Sequence, residues 1–263
     1  MIKQGLQALK EIIKNPKLLN RILEDNSVWE SYIAKKHNSF ANGLPVVEIN
    51  TLIPEFKEIL NTVVFLGSGS TIPDLCLIKA ICKSFDKCTY FEIGTWMGES
   101  AANASEVSSE CVTLNIDPSL YLNGKYKSVM GFFSKDIKNV KQIYGDSTTF
   151  DFAGLKRKFD VVFIDGDHHH EYIKRDTANV FNNLIHDKSV IIWHDYCTDP
   201  STPRFQTLAG ILDGIPTEFQ KNLYHVSNSL CAIYTTRNLT SRPLQSPNLP
   251  TKKFRVSIES QSV

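Results

Sequence analysis

One short apolar run, ended by a turn with a glycine at each side, constrains this chain more than any other stretch. It reads Cys88 to Ile93, then Gly94-Thr95-Trp96-Met97-Gly98-Glu99-Ser100. A run this short, mixing aromatic and β-branched residues, predicts an inner strand. Gly94 and Gly98 mark the points where the backbone must turn sharply or come close to a ligand. Ser100, Ala101, Ala102 and Ala104 predict a helix leading away, so that its N-terminus faces back toward whatever occupies the turn. Glu92 closes the strand with a carboxylate placed to accept hydrogen bonds from a ligand or to brace the loop. No third glycine follows at the interval of the G-x-G-x-x-G dinucleotide fingerprint.

The same design recurs downstream. Cys111 to Ile116 predicts a second strand, ending at Asp117-Pro118, and strand, loop, helix and strand within this length make a βαβ unit and hence a parallel sheet. An acid at that strand end can accept both hydroxyls of a ribose; Asp117 is the choice, and a shifted register puts Asn115 there instead. Lys141 to Tyr144 predicts a third strand, followed by Gly145-Asp146-Ser147. Val161 to Ile164 is a continuous apolar run suited to a central strand, and Asp165-Gly166-Asp167-His168-His169-His170 follows at once. Ser189 to Trp193 repeats the pattern and ends in His194-Asp195. Adjacent parallel strands would gather Asp165, His168, His194 and Asp195 at the rim where open parallel sheets bind ligands.

Two chemistries fit that rim. In one, Asp165, His194 and Asp195 hold a divalent cation; carboxylates suit Mg²⁺, and a histidine ligand tilts the preference toward Mn²⁺, Fe²⁺ or Zn²⁺. In the other no metal is present and the carboxylates bind hydroxyls directly. His168 is the candidate general base in both, because an imidazole titrates close to working pH.

The pattern E-x-G-x-x-x-G-x-S formed by Glu92, Gly94, Gly98 and Ser100 resembles the first motif of class I S-adenosylmethionine-dependent methyltransferases, in the form found in catechol-type O-methyltransferases. The run F-D-V-V-F-I-D-G-D-H, and after it V-I-I-W-H-D-Y, resembles the metal-dependent sugar O-methyltransferases. The resemblance spans about residues 65 to 235. It implies an α/β fold, a doubly wound, seven-stranded, mostly parallel, Rossmann-like sheet with an antiparallel C-terminal hairpin and an N-terminal helical extension. It implies S-adenosyl-L-methionine as cofactor, held by Glu92, Gly94, Thr95, Gly98, Ser100, Asp117, Asp146, Ser147 and Asp165, with Asp146 beside the adenine amine. Asp165 carries over as a catalytic residue and metal ligand, for Mg or Mn, and His168 as the base. The family's usual acidic pair falls on His194-Asp195, where His194 departs from the pattern. Gly67 to Ser70 falls where the family has a loop over the cofactor. The acceptor implied is a hydroxyl of a sugar, a glycan or another small molecule. A nicotinamide-dependent oxidoreductase and a non-catalytic nucleotide-binding assembly subunit are the competing readings.

Composition narrows the partners. Twenty-nine basic against twenty-eight acidic residues leave a formal charge of +1, which favours no nucleic acid partner. No stretch approaches the ~20 apolar residues of a membrane span, and the start lacks an apolar signal core. Six scattered cysteines without a C-x-x-C pair fit reduced thiols and a cytoplasmic location. The expected organisation is a helical extension over 1–62, the methyltransferase domain over 63–236 and a tail over 237–263, loosely packed or used at a contact of a homo-oligomer. Within the extension Leu6, Leu9, Ile12 and Ile13 form an apolar stripe beside lysines, and Leu18, Leu19, Ile22, Leu23 and Trp29 are expected inside. Packing on the main domain is the favoured reading, and a membrane-surface or dimer helix the other. Helices are expected over 53–61 and, capped by Ser70 or Thr71, over 72–84. Leu223 to Val226 and Leu230 to Thr235 predict the hairpin, and Phe254 to Ile258 is strand-like.

Overall fold

A computed structural model describes residues 2–66, 69–245 and 251–262. Gly67 and Ser68, half of the expected cofactor loop, therefore lie outside the described residues. The elements that build the sheet are β1 (Val46–Val47), β2 (Thr89–Ile93), β3 (Glu110–Asn115), β4 (Val140–Tyr144), β5 (Phe159–Ile164) and β6 (Ile185–Trp193). A small ribbon, β7 (Cys197–Asp199) and β8 (Thr202–Pro203), stands apart from the sheet, which continues with β9 (Leu223–Val226), β10 (Ala232–Tyr234) and β11 (Ser241–Arg242). The helices are α1 (Ile2–Lys14), α2 (Leu18–Leu23), α3 (Asn26–Lys36), α4 (Ile49–Leu52), α5 (Ile72–Lys83), α6 (Glu99–Ser105), α7 (His170–Asn183) and α8 (Phe205–Gly214).

Nine strands of the described residues form one sheet in the order β11-β1-β9-β10-β6-β5-β2-β3-β4. From β4 to β6 all neighbours are parallel, and β10 runs antiparallel to both β6 and β9. The seven expected strands are the contiguous block β9 to β4, hairpin included. Two strands of two residues each, too short to show any periodicity, lengthen the sheet beyond β9; β1 precedes residue 63 and β11 follows residue 236. Arg242 of β11 pairs with Glu48 just after β1, at 3.2 Å.

Strand alternation sorts the core into two layers. Phe91, Ile93, Val162, Ile164, Ile191 and Trp193 face α3, α7 and α8, where they meet Ile33, Ile173, Val180 and Leu208. Tyr90, Val161, Phe163, Val190 and Ile192 face α4 and α5, meeting Leu52, Leu77, Ile78 and Ile81. Helices on both faces explain why the inner strands read as continuous apolar runs. The sheet's chain order reverses between β2 and β5, the kind of switch point at whose C-terminal edge open parallel sheets bind ligands.

Three expectations change. Residues 53–61 form no helix; side chains from the neighbouring helices hold the segment open. Lys79 Nζ donates to the Ile59 carbonyl at 2.6 Å, and Asn103 brackets the chain by accepting from Asn61 N at 3.2 Å and donating to the Thr62 carbonyl at 2.6 Å. Residues 254–258 form no strand. Of α1, α2 and α3 only α3 packs as expected, with Ile33 fully buried and Trp29 and Tyr32 against the core; Leu19, Ile22 and Leu23 of α2 are exposed. Asp213 of α8 anchors α3, accepting from Tyr32 Oη at 2.5 Å and Lys36 Nζ at 2.9 Å, and His37 and His170 close on the same carboxylate at 2.6 and 3.0 Å.

Candidate active site

The turn after β2 is built by a glycine that nothing else could replace without moving backbone. Gly94 has φ +88°, and a Cβ there would fall 2.5 Å from the Asp165 carbonyl carbon and 2.8 Å from the Gly166 nitrogen. The loops leaving β2 and β5 therefore run in direct contact. Backbone bonds stitch the strand ends together: Gly94 N to Leu114 O at 2.9 Å, Asp165 N to Ile93 O at 2.8 Å and His194 N to Ile164 O at 3.0 Å. Trp96, at φ +43°, and Gly98, at φ +87°, complete the turn, and Gly98 caps α6 against Ser134.

A cavity of about 670 Å³ opens over these strand ends. It is lined by Ile93 and Gly94 at the end of β2, Asn115 and Ile116 at the end of β3, Gly145 to Ser147 after β4, Asp165 to His169 after β5, and Asp195 after β6. Trp96, Tyr121, Met130 and Tyr172 give it apolar walls. Of the residues singled out in sequence, Gly94, Asp146, Ser147, Asp165, His168 and Asp195 line this space together. Glu92, Thr95 and Ser100 are buried behind it, and Gly98 lies beyond the lining. Asp117 is also off the lining; it folds its carboxylate onto Ser119, accepting from N at 2.8 Å and Oγ at 2.6 Å. Asn115, the residue of the shifted register, sits on the lining instead. The Asp146 carboxylate accepts from Thr148 N and Oγ1 at 2.8 and 2.7 Å.

Glu92 is fully buried, and burial pushes its carboxyl up to about 8, opposed by the Tyr90 hydroxyl that donates to it at 2.6 Å. The folded state thus keeps a proton that the unfolded chain has lost above the ordinary carboxylate range. Stability should fall as pH rises from about 5 toward 8, on the order of 3 kcal/mol over that window. Glu92→Gln, which cannot ionise, should make the slope shallower; equal slopes in urea titrations of the two proteins would contradict a neutral Glu92.

The other end of the cavity is a chain of acids and imidazoles. His168 Nδ1 lies 3.0 Å from Asp195 Oδ2, and that hydrogen bond holds the His168 pKa above its ordinary value against the effect of burial. Arg204 Nη1 reaches the other Asp195 oxygen at 3.5 Å. His194 is buried behind them, Nδ1 facing Asp165 at 3.3 Å and Asp195 at 3.4 Å, and Nε2 facing Asp74 at 3.3 Å. Burial alone would lower its pKa, yet the three carboxylates outweigh it and raise the imidazole well above its ordinary value. Without a cation, a proton on this imidazole balances the acids.

The same residues fit a cation. Donor atoms of Asp165, His194 and Asp195 all lie within 4.8 Å of one another. Asp74 stands behind His194 as an outer carboxylate that can hold the Nε2 proton and leave Nδ1 free to ligate. Asp74 was invisible in sequence as part of this rim; in the structure it also caps α5, accepting from Thr71 N at 2.8 Å. Asp176 of α7 was missed as well. It is buried beneath Gly166, and burial, then Asp146 and Asp167, push it up to about 7. An acid on a buried helix face, next to strand ends already rich in acids, was the available signal.

Residues 91–196 match a family model described as a methyltransferase domain. No curated protein matches the chain. Among solved structures the chain is similar to the SAH-bound methyltransferase PaMTH1 of Podospora anserina, at 16% identity and a TM-score of 0.46, covering 64% of this chain and 80% of that one. It is similar to a candidate caffeoyl-CoA O-methyltransferase from Staphylococcus aureus, at 15% identity and a TM-score of 0.45, covering 70% and 88%. It is also similar to cofactor-bound Rv0187 from MTB, at 16% identity and a TM-score of 0.42, covering 71% and 86%.

Proposed function

We propose that this chain, whose residues 91–196 match the methyltransferase domain model, transfers the methyl group of S-adenosylmethionine to a hydroxyl oxygen of a sugar, a glycan or another small-molecule acceptor. One observation carries the reading: a single cavity joins the Gly94 turn and the Asp146-Ser147 strand end to the His168–Asp195 pair. When bound, S-adenosylmethionine supplies a methyl group already activated by its sulfonium.

The chain's task is then to align and to move one proton. Asn115 or Asp117 takes the ribose hydroxyls, and Asp146 with Ser147 takes the adenine amine. Glu92, Thr95, Gly98 and Ser100 act from behind the wall by fixing the turn. Asp165 sits where the cofactor side meets the acceptor side. His168 receives the acceptor's hydroxyl proton, with its ring held by Asp195 through Nδ1, which leaves Nε2 for the acceptor. Asp165, His194 and Asp195 would hold a divalent cation, Mg or Mn, whose charge lowers the pKa of the acceptor hydroxyl. Holding acceptor and methyl in line accounts for roughly 7–11 kcal/mol of barrier reduction in reactions of this kind.

The test is transfer of isotope-labelled methyl from S-adenosylmethionine to a panel of sugars and phenols, with and without EDTA. Label on an acceptor oxygen is expected, and its loss in EDTA would assign the cation. Cofactor binding without transfer to any member of the panel would count against the hydroxyl acceptor.

A further inference from the structure

The extension carries an apolar face that the domain does not cover. In α1, Leu6, Leu9 and Ile13 are 58%, 53% and 72% exposed, and in α2, Ile22 and Leu23 are 53% and 65% exposed. At about 100° per residue, Leu6, Leu9 and Ile13 fall within one arc of about 60°, and Lys3, Lys10 and Lys14 occupy the arc beside it. Residues 2–23 hold five basic side chains, Lys3, Lys10, Lys14, Lys17 and Arg21, against one acid, Glu11. The chain as a whole is almost neutral, so this concentration of charge is local.

We infer that the α1–α2 hairpin is a docking surface for an anionic lipid bilayer. Exposed leucines and isoleucines flanked by lysines on long aliphatic stems are the composition of a helix that lies in the membrane interface, apolar side down and ammonium groups among the headgroups. Charge decides the occupant. A second copy of the hairpin would set these basic residues against the same basic residues, whereas an anionic surface neutralises each of them. No helix among the described residues is long and apolar enough to cross a membrane, so the contact is peripheral. The hairpin also ends beside the candidate active site: Glu24, just after α2, lies 3.3 Å from His169 on the cavity rim, and Trp29 stacks on His170 at 4.9 Å. Lipid contact through α1 and α2 would keep that rim close to the bilayer.

The experiment is sedimentation of the full chain with phosphatidylcholine vesicles, with and without phosphatidylserine, at low and high salt. The chain is expected to pellet with the anionic vesicles at low salt and to be released at high salt. The double variants Leu9→Glu/Ile13→Glu and Lys10→Glu/Lys14→Glu should each weaken partitioning at least about tenfold, with unchanged melting because all four positions are exposed. Failure to pellet with anionic vesicles, or equal binding to neutral ones, overturns the inference. So does a dimer in light scattering that Leu9→Glu/Ile13→Glu dissociates, since the hairpin would then serve a second copy.

Discussion

Gly94→Ala is expected to cost on the order of 3 kcal/mol of folding stability and to abolish cofactor binding. Two terms add. An alanine must hold φ +88°, a left-handed conformation that costs an L-residue about 1–2 kcal/mol. Its Cβ must also push into the backbone of Asp165 and Gly166, and overpacking of this kind costs about 1–3 kcal/mol. The strain cannot relax into a flexible side chain, because both obstructions are main chain stitched to β2 by the Asp165 N to Ile93 O bond. Gly5→Ala is the control: a Cβ there meets nothing within 4 Å, in an exposed helix. A urea midpoint for Gly94→Ala equal to that of Gly5→Ala would show that the two loops do not touch as described.

His168→Ala should lower kcat by about 10²–10⁴-fold while the affinity for S-adenosylhomocysteine stays within a factor of about two. The side chain is half exposed on the cavity and its loss leaves no buried charge unpaired, since Arg204 and His194 still face Asp195. Folding should therefore be spared. A fall in cofactor affinity as large as the fall in kcat would assign His168 to binding, and an unchanged kcat would remove it from the reaction.

Much of this was legible because the inner strands announce themselves. Each carries an apolar run that stops at a polar residue or a glycine, and the βαβ spacing fixes their direction. The hairpin of β9 and β10 was legible for the same reason. Contacts between distant segments were not. Asp74 and His194 meet at 3.3 Å across 120 positions, and a capping box explains Asp74 fully at the local level. The choice between Asn115 and Asp117 depends on where β3 stops. The structure puts Asn115 in the cavity and turns Asp117 onto Ser119. The neutrality of Glu92 follows from burial, which no residue type declares. The open face of α1 and α2 was misjudged because an apolar stripe shows that a helix wants a partner and says nothing of whether the same chain provides it.

The cavity over the C-terminal ends of β2 to β6 is expected to bind the nucleoside of S-adenosylmethionine. Isothermal titration of the purified chain with S-adenosylhomocysteine, beside an NADH titration, reads this binding. Saturable one-to-one heat is expected with S-adenosylhomocysteine, none with NADH, and loss of that heat in Gly94→Ala. No heat with S-adenosylhomocysteine from folded wild-type chain, or binding that prefers NADH, would contradict it.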